Sequence, residues 1–191
     1  MLRWSLRPFS THKGSACMAT TDFNAGPVTV LSIDPLLVIS LRHLPDAGDS
    51  LSMALKAAGL SGVPCPGQVI GQSPWALWLS PSEVILLANN PTQTNAVKTA
   101  LADNPLACAV DQSDGVLALE LQGQQLDDLL LRLVDSRSLP CTPGSAVRVR
   151  LADIAVILIR HMPDRLWLLV ERPQAQYLTN WLKHAGAALQ P

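Results

Sequence analysis

Residues 111 to 115, DQSDG, place two carboxylates, a hydroxyl and a glycine directly before an apolar strand pattern. Asp111 and Asp114 could act as a carboxylate pair in acid–base catalysis if their surroundings set their pKa values apart. The same residues are typical of a turn, because Asp and Ser bond nearby backbone amides and Gly115 can adopt a positive φ. No histidine or second acidic cluster lies nearby in the sequence, so a turn is the favoured interpretation.

Histidine and cysteine, the other side chains suited to catalysis or metal binding, are scattered along the chain. The histidines are His12, His43, His161 and His184, and the cysteines are Cys17, Cys65, Cys108 and Cys141. They do not stand at the spacings of zinc or redox motifs, and the sequence contains no phosphate-binding loop or serine-hydrolase elbow. We therefore expect no catalytic, cofactor-binding or metal-binding residue in this chain, and reduced cysteines in a cytoplasmic protein.

The elements that would position these side chains follow a β-α-β-β-α order that occurs twice. In the first half, strand patterns at 36–41, 75–79 and 84–88 are accompanied by a helix ending at Gly59 and a second helix beginning near Pro91. The first helix carries apolar residues at the i, i+3, i+4 and i+7 positions: Leu51, Ala54, Leu55 and Ala58.

The second half repeats this order. Its strand patterns lie at 116–121, 147–151, 156–160 and 166–170. Its first helix carries apolar residues at the same spacing: Leu126, Leu129, Leu130 and Leu133. The last helix opens at Pro173 and ends at Gly186, and five of its residues are predicted to face inward: Tyr177, Leu178, Trp181, Leu182 and Ala185.

Each repeat alone would leave one apolar face of its sheet exposed to water. We therefore expect the two units, 27–106 and 107–191, to pack their sheets together. The predicted fold class is α+β, with mainly antiparallel sheet and with the helices on the outside.

Residues 1–26 differ from the rest of the chain. They are basic and poor in acids, with Arg3 and Arg7 preceding the first acid, Asp22, and they lack the apolar core of a secretory signal. A mitochondrial presequence has this composition; alternatively, the start is assigned too early and Met18 begins the chain, which is the interpretation we favour. In either case we expect residues 1–26 to be poorly ordered.

The composition excludes several classes of partner. The chain has 14 Lys and Arg against 15 Asp and Glu, a formal charge of -1, which leaves no basic footprint for nucleic acid. Its residues are 48% hydrophobic and only 15% charged, whereas an average soluble domain is about 25% charged. The apolar runs are shorter than the roughly 20 residues of a membrane span. We therefore expect no nucleic acid or membrane partner, and a surface partly covered by another protein.

Several segments of the sequence resemble the gamma subunit of heterotetrameric sarcosine oxidase. They are ALWLSPSEVILLA at 76–88, VDQSDGVLALELQGQQLDDLLLRLV at 110–134, PGSAVRVRLADIAVILIR at 143–160 and RLWLLVERPQAQYLTNWL at 165–182. The resemblance covers roughly residues 30–187. It implies the folate-binding fold of the glycine-cleavage T-protein, which has the same duplicated unit.

The resemblance also implies partners and cofactors. The gamma subunit accompanies alpha, beta and delta subunits, and the complex uses FAD, FMN, NAD and tetrahydrofolate on those other subunits. The complex converts sarcosine to glycine, passes the one-carbon unit to tetrahydrofolate and forms hydrogen peroxide. The gamma subunit is not known for chemistry of its own, so the resemblance implies a non-catalytic subunit.

Two departures bear on the alternative, a free-standing folate-binding or one-carbon-transfer protein. T-protein relatives keep an acidic pair where this sequence reads Ile154 and Ala155. The folate-fold proteins that assist iron–sulfur enzymes carry a lysine-glycine-cysteine signature, of which LPCTPG at 139–144 keeps little beyond the cysteine and glycine. Both departures favour the non-catalytic subunit.

Overall fold

The structure is a computed structural model that describes residues 22–189 of the chain. The strands in this part are β1 Phe23–Ala25, β2 Val28–Ser32, β3 Leu37–His43, β4 Val69–Gly71, β5 Trp75–Ser80, β6 Glu83–Ala88, β7 Ala107–Asp111, β8 Val116–Gln122, β9 Ser145–Leu151, β10 Ile154–Met162 and β11 Arg165–Glu171. The α-helices are α1 Gly48–Ala57, α2 Pro91–Leu101, α3 Leu126–Leu131 and α4 Ala175–Ala187.

The strands form two antiparallel sheets that repeat one another. The five-stranded sheet has the order β4-β5-β6-β3-β7, and the six-stranded sheet has the order β1-β2-β8-β11-β10-β9. The segment β3-β6-β5-β4 of one therefore corresponds to β8-β11-β10-β9 of the other, and the connecting helices follow in the same order along the chain. This architecture confirms the predicted α+β class with its duplicated unit and antiparallel sheets.

The first strand of each predicted unit, 27–106 and 107–191, pairs with the sheet of the other unit. β2 of the first unit pairs with β8, and β7 of the second unit pairs with β3. The predicted boundary between 106 and 107 therefore does not coincide with a division between the two sheets. Each half of the chain therefore contributes one strand to the sheet of the other half, and this pairing connects the two halves.

The first residues of the described part are ordered by this pairing. Residues 23–25 form β1, and Ala25 is completely buried. The expectation of poor order was therefore wrong for residues 22–26, because the hairpin of β1 and β2 extends the six-stranded sheet. The expectation for residues 1–21 lies outside the described residues.

The sheets pack face to face, and helices cover their outer faces. One core cluster lies between the five-stranded sheet and α1 and α2, another lies between the six-stranded sheet and α3 and α4, and a third lies between the sheets. On β6, Val84 and Leu86 belong to the helix side, whereas Ile85 and Leu87 face the other sheet. Both faces of this strand are covered, which explains its continuous apolar sequence.

The helix stripes were predicted correctly in part. All four members of the α1 stripe are buried: Leu51, Ala54, Leu55 and Ala58. In α4, however, Tyr177 and Trp181 are 44% and 39% exposed, so the prediction that they face inward was wrong. The buried stripe of α4 turns instead toward Thr179 and Gly186, because α4 packs against β1 on that side.

Gly186 does not end α4 but lies inside it. A Cβ atom on Gly186 would lie 2.2 Å from the carbonyl carbon of Ala25. The glycine therefore permits a close backbone approach between α4 and β1. None of the helices within residues 22–189 is long and apolar enough to cross a membrane.

Candidate functional site

The DQSDG segment forms a hydrogen-bonded turn between β7 and β8. Asp111 accepts a hydrogen bond from Lys98 Nζ over 2.6 Å, and its Oδ1 accepts two more from the backbone N and Oγ of Ser113, over 3.0 and 2.6 Å. The Lys98 hydrogen bond, and after it the Ser113 hydroxyl, lower the pKa of Asp111 to about 2. A carboxyl held ionised in this way is suited to anchoring a turn rather than to moving protons near neutral pH.

The turn is also fixed from the other end of the chain. Arg172, just before α4, donates from Nε to the Asp114 carbonyl over 2.8 Å and from Nη2 to the Val116 carbonyl over 3.2 Å. The Gly115 amide closes the turn on the Gln112 carbonyl over 2.9 Å. Gly115 is not among the positive-φ residues of the structure, so the predicted left-handed conformation was wrong. These backbone hydrogen bonds direct the chain into β8 without a positive φ at Gly115.

A cleft of about 320 Å³ opens between the two sheets; we call it the inter-sheet cleft. Its apolar residues are Val38, Ile85, Val116, Ala155, Val156, Ile157, Leu169 and Val170. Its polar residues are Arg42, Glu83, Gln112, Arg148 and Glu171. The two arginines and two carboxylates balance in formal charge, so the cleft gives no strong preference for a charged ligand.

Glu83 is the central polar residue of this cleft and is only 8% exposed. One of its oxygens accepts a hydrogen bond from Ser40 Oγ over 2.8 Å, and the other accepts one from Arg148 Nη2 over 3.2 Å. Arg42 Nη2 lies 3.8 Å from Oε1. The carboxylate is thus engaged by groups from β3 and β9, and it connects the two sheets.

No local pattern in the sequence indicates this network, because its members are far apart in the chain and come from three strands. In the sequence, Glu83 is the last residue of SPSE, the polar segment between the strand patterns at 75–79 and 84–88. A carboxylate at the start of a strand with a continuous apolar sequence is a weak indication of a buried polar network. The indication would be stronger if burial of both faces of that strand were known.

A second cluster between the sheets is aromatic. The rings of Trp75 and Trp167 meet edge to face at a centroid distance of 4.8 Å, and the His161 ring lies 4.2 Å from that of Trp167. Trp167 Nε1 donates to Glu120 Oε2 over 2.9 Å. Burial lowers the pKa of His161, Glu120 opposes this shift and Arg165 adds to it. The cluster packs the His161 imidazole beside the Trp75 and Trp167 indole rings, which belong to the core between the sheets.

The remaining candidate residues do not come together. Cys65, Cys108 and Cys141 are exposed and free. Within residues 22–189, no group of three or more His, Cys, Asp or Glu side chains is placed to hold a metal ion. His12 and Cys17 lie outside the described residues, and the absence of catalytic, cofactor and metal residues stays a prediction.

Comparison with known proteins shows the fold and the family. The structure is similar to a chain of the heterotetrameric sarcosine oxidase from Corynebacterium sp. U-96 in complex with pyrrole 2-carboxylate, with a TM-score of 0.78 and 24% identity over 90% of each chain. It is also similar to the glycine cleavage system aminomethyltransferase T from Bartonella henselae, with a TM-score of 0.61 and 14% identity over 82% of this chain and 45% of that chain. No curated protein sequence matches this chain.

The sequence itself provides the family assignment. The profile of the sarcosine oxidase gamma subunit family matches residues 48–188, which include all four α-helices and the strands from β4 to β11. Because this match spans well over half of the chain, the protein belongs to the sarcosine oxidase gamma subunit family.

Proposed function

We propose that this chain is a non-catalytic gamma subunit of a heterotetrameric, cytoplasmic sarcosine oxidase-like flavoenzyme. Its partners are alpha, beta and delta subunits. The complex oxidatively demethylates sarcosine to glycine, passes the one-carbon unit to tetrahydrofolate and forms hydrogen peroxide. Family membership over residues 48–188 is the observation that carries this proposal.

The state of the ionisable side chains supports a non-catalytic role. Asp111 is held by Lys98 and Ser113, and Glu83 is engaged by Ser40 and Arg148. A general acid or base must exchange its proton with a bound substrate near neutral pH. These carboxylates instead make fixed contacts that hold a turn and join two sheets.

The inter-sheet cleft does not fit a folate-processing site of the T-protein kind. Ala155 lines the cleft, and Ile154 packs at the edge of the core cluster beside α3 and α4. These are the positions at which the resemblance implies an acidic pair. With apolar side chains at these two positions, the acidic pair of the T-protein kind is missing. We propose that FAD, FMN, NAD and tetrahydrofolate are bound by the other subunits.

The proposal is tested by co-expressing the tagged full-length chain with the alpha, beta and delta subunits. We expect a stoichiometric complex with the absorbance of bound flavin and with sarcosine-dependent hydrogen peroxide formation. A control co-expression with an unrelated tagged protein of similar size shows whether the capture is specific. A chain that stays separate from the flavin-bearing subunits contradicts the proposal.

The alternative is a free-standing folate-binding protein. The observation in its favour is the inter-sheet cleft in a fold similar to that of aminomethyltransferase T. Titration of the isolated chain with tetrahydrofolate separates the two functions, because micromolar binding favours the alternative. We expect no saturable binding.

A further inference from the structure

The inter-sheet cleft has a counterpart in the space between the sheets, because the two halves of the chain repeat one another. The β5–β6 and β10–β11 hairpins are irregular at Leu79 and at His161 respectively, which aligns the two halves. The strand registers then match four pairs of residues: Trp75 with Ile157, Trp167 with Ile85, Gly71 with Arg148 and Asn89 with Glu171. The residues around the cleft can therefore be compared with those at the matching place.

The matching place is filled by two indole rings, whereas the inter-sheet cleft is open. Trp75 and Trp167 meet edge to face, with 4.8 Å between their centroids. Ile157 and Ile85 take the corresponding positions and line the cleft. The open volume of about 320 Å³ lies at the small end of the range of ligand pockets, about 300 to 1,000 Å³. Since protein interiors are otherwise closely packed, the difference favours a small ligand in the open place.

One end of the inter-sheet cleft is positively charged. The buried Glu83 carboxylate lies there between the guanidinium groups of Arg42 and Arg148, so two positive charges face one negative charge. Arg148 donates one hydrogen bond to Glu83, and Arg42 Nη2 lies 3.8 Å from it, beyond hydrogen-bonding distance. A guanidinium group carries several N–H donors, so both arginines keep donors for a second anion. Their planar donor pattern is suited to a carboxylate.

The opposite end of the inter-sheet cleft is negatively charged. Glu171 lies two strands away from Arg148 on the same face of the sheet and two residues further along, which corresponds to about 12 Å between the Cα atoms. Gln112 is its polar neighbour in the lining. Arg150 shares this face, but its Nη2 donates to the Asp153 carbonyl over 2.6 Å, and it does not line the cleft. This end is therefore suited to a cation.

We propose that the inter-sheet cleft binds a small linear zwitterion of the ω-amino acid class, with its carboxylate at Arg42 and Arg148 and its ammonium group at Glu171. The charges of the cleft balance, so they favour a ligand that carries both signs over a ligand with a net charge. At the filled place, the residues that match Arg148 and Glu171 are Gly71 and Asn89, which carry no charge. The charged ends thus occur together with the open volume. The site belongs to this chain alone and does not depend on the proposed function.

The test is a calorimetric titration of the full-length chain with ε-aminocaproate, whose methylene chain separates its two charged groups. We expect saturable binding with a Kd of about 1 mM or below. Hexanoate and hexylamine are the matched probes, because each keeps the chain and lacks one charged group. Each should bind about 5-fold more weakly, the effect of one lost ion pair at a partly exposed site. The proposal is overturned if ε-aminocaproate shows no saturable binding, or if hexanoate or hexylamine binds equally well.

Two charge variants test the orientation of the ligand. Glu171→Gln should weaken the binding of ε-aminocaproate about 5-fold and leave that of hexanoate unchanged. Arg42→Gln should weaken the binding of both and leave that of hexylamine unchanged. Asp164→Asn is the control for the change in charge, because Asp164 is exposed just before β11 and does not line the cleft. If neither Glu171→Gln nor Arg42→Gln weakens the binding of ε-aminocaproate, the proposal is wrong.

Ile157→Trp tests whether the open volume is the binding site. The matching position already holds Trp75, so an indole ring is compatible with this place in the fold. The variant should keep a cooperative thermal unfolding transition and lose binding of all three probes. A folded variant that binds ε-aminocaproate as tightly as the unchanged chain would place the ligand elsewhere and overturn the proposal. If the variant does not fold, the two charge variants decide.

Discussion

Arg148 on β9 donates a hydrogen bond to Glu83 on β6 over 3.2 Å and so joins the two sheets across the inter-sheet cleft. The Glu83 side chain is 10% exposed, whereas that of Arg148 is 48% exposed. The pair is therefore shielded from water on the carboxylate side and open on the guanidinium side. Its strength should lie between that of a surface ion pair and that of a fully buried one.

We predict that Glu83 and Arg148 are energetically coupled. In a double-mutant cycle of Glu83→Gln and Arg148→Met, measured by urea unfolding, the coupling energy should be about 0.5 to 2 kcal/mol. The exposed pair Asp135 and Arg137 is the matched control, since its side chains are 54% and 89% exposed, and it should show no measurable coupling. Equal coupling in the two cycles would mean that Glu83 does not connect the sheets.

Periodicity in the sequence was sufficient to predict the duplicated fold. The apolar stripe of α1 and the apolar pattern of β6 could be predicted because the burial of side chains follows the periodicity of the helix or strand that carries them. The strand exchange could not be predicted in this way. The local patterns of β2 and β7 do not specify a partner strand, and their pairing with β8 and β3 joins parts of the chain that are far apart in sequence.

The inward prediction for Tyr177 and Trp181 failed for a related reason. Large aromatic rings at helical spacing are usually core residues, and periodicity alone does not distinguish a buried face from an exposed one. The buried direction of α4 is set by its contact with β1, through Gly186. That contact joins parts of the chain that are far apart in sequence, so no local pattern contains it.

We predict that His161 makes the protein less stable at mildly acidic pH. Burial holds its folded-state pKa below the usual 6.5, so only the unfolded chain takes up this proton as the pH falls through that value. The free energy of unfolding should therefore be independent of this group above 6.5 and should decrease below it. Urea unfolding between about pH 7.5 and about pH 5.5 measures the change.

The variant His161→Leu should lose this pH dependence. Leu79 occupies the matching place in the first repeat, because the β5–β6 and β10–β11 hairpins are irregular at Leu79 and at His161 respectively. Leucine is therefore compatible with the site. His43→Gln, at the end of β3, is the control and should keep the dependence. If His161→Leu keeps it as well, another group is responsible.

We predict that Gly186→Ala is strongly destabilising. The new Cβ atom would lie 2.2 Å from the Ala25 carbonyl carbon and 2.6 Å from the Gly26 amide nitrogen, and backbone cannot move aside as a side-chain end can. Overpacking of this kind costs typically about 1 to 3 kcal/mol, occasionally more.

Gly48→Ala is the matched control for Gly186→Ala. Gly48 is also helical, and a Cβ atom on it would meet nothing within 4 Å. Alanine there should be neutral or stabilising by up to about 1 kcal/mol, because it restricts the unfolded chain. Equal losses of unfolding free energy in the two variants would show that helix propensity, rather than the contact with β1, explains Gly186.

We expect Asp111 to affect stability and not turnover. Asp111→Asn removes the charge that holds Lys98, a half-exposed pair worth about 0.2 to 1 kcal/mol. The pKa of Asp111 is lowered from 3.8 to about 2, so its contribution is present above pH 3.8 and is lost as the pH falls toward 2.

Asp114→Asn is the matched control in the same turn, because Arg172 binds the backbone carbonyl of Asp114, which this substitution keeps. It should leave the unfolding free energy nearly unchanged. In the proposed complex, kcat for the proposed substrate sarcosine should be the same for both variants and for the unchanged chain, since the carboxylate of Asp111 is engaged by Lys98 and Ser113. Removing a general acid or base lowers the rate by about 10²- to 10⁴-fold. A loss of that size in Asp111→Asn, with normal assembly and melting temperature, would identify a catalytic carboxylate in a segment that we assign to a turn.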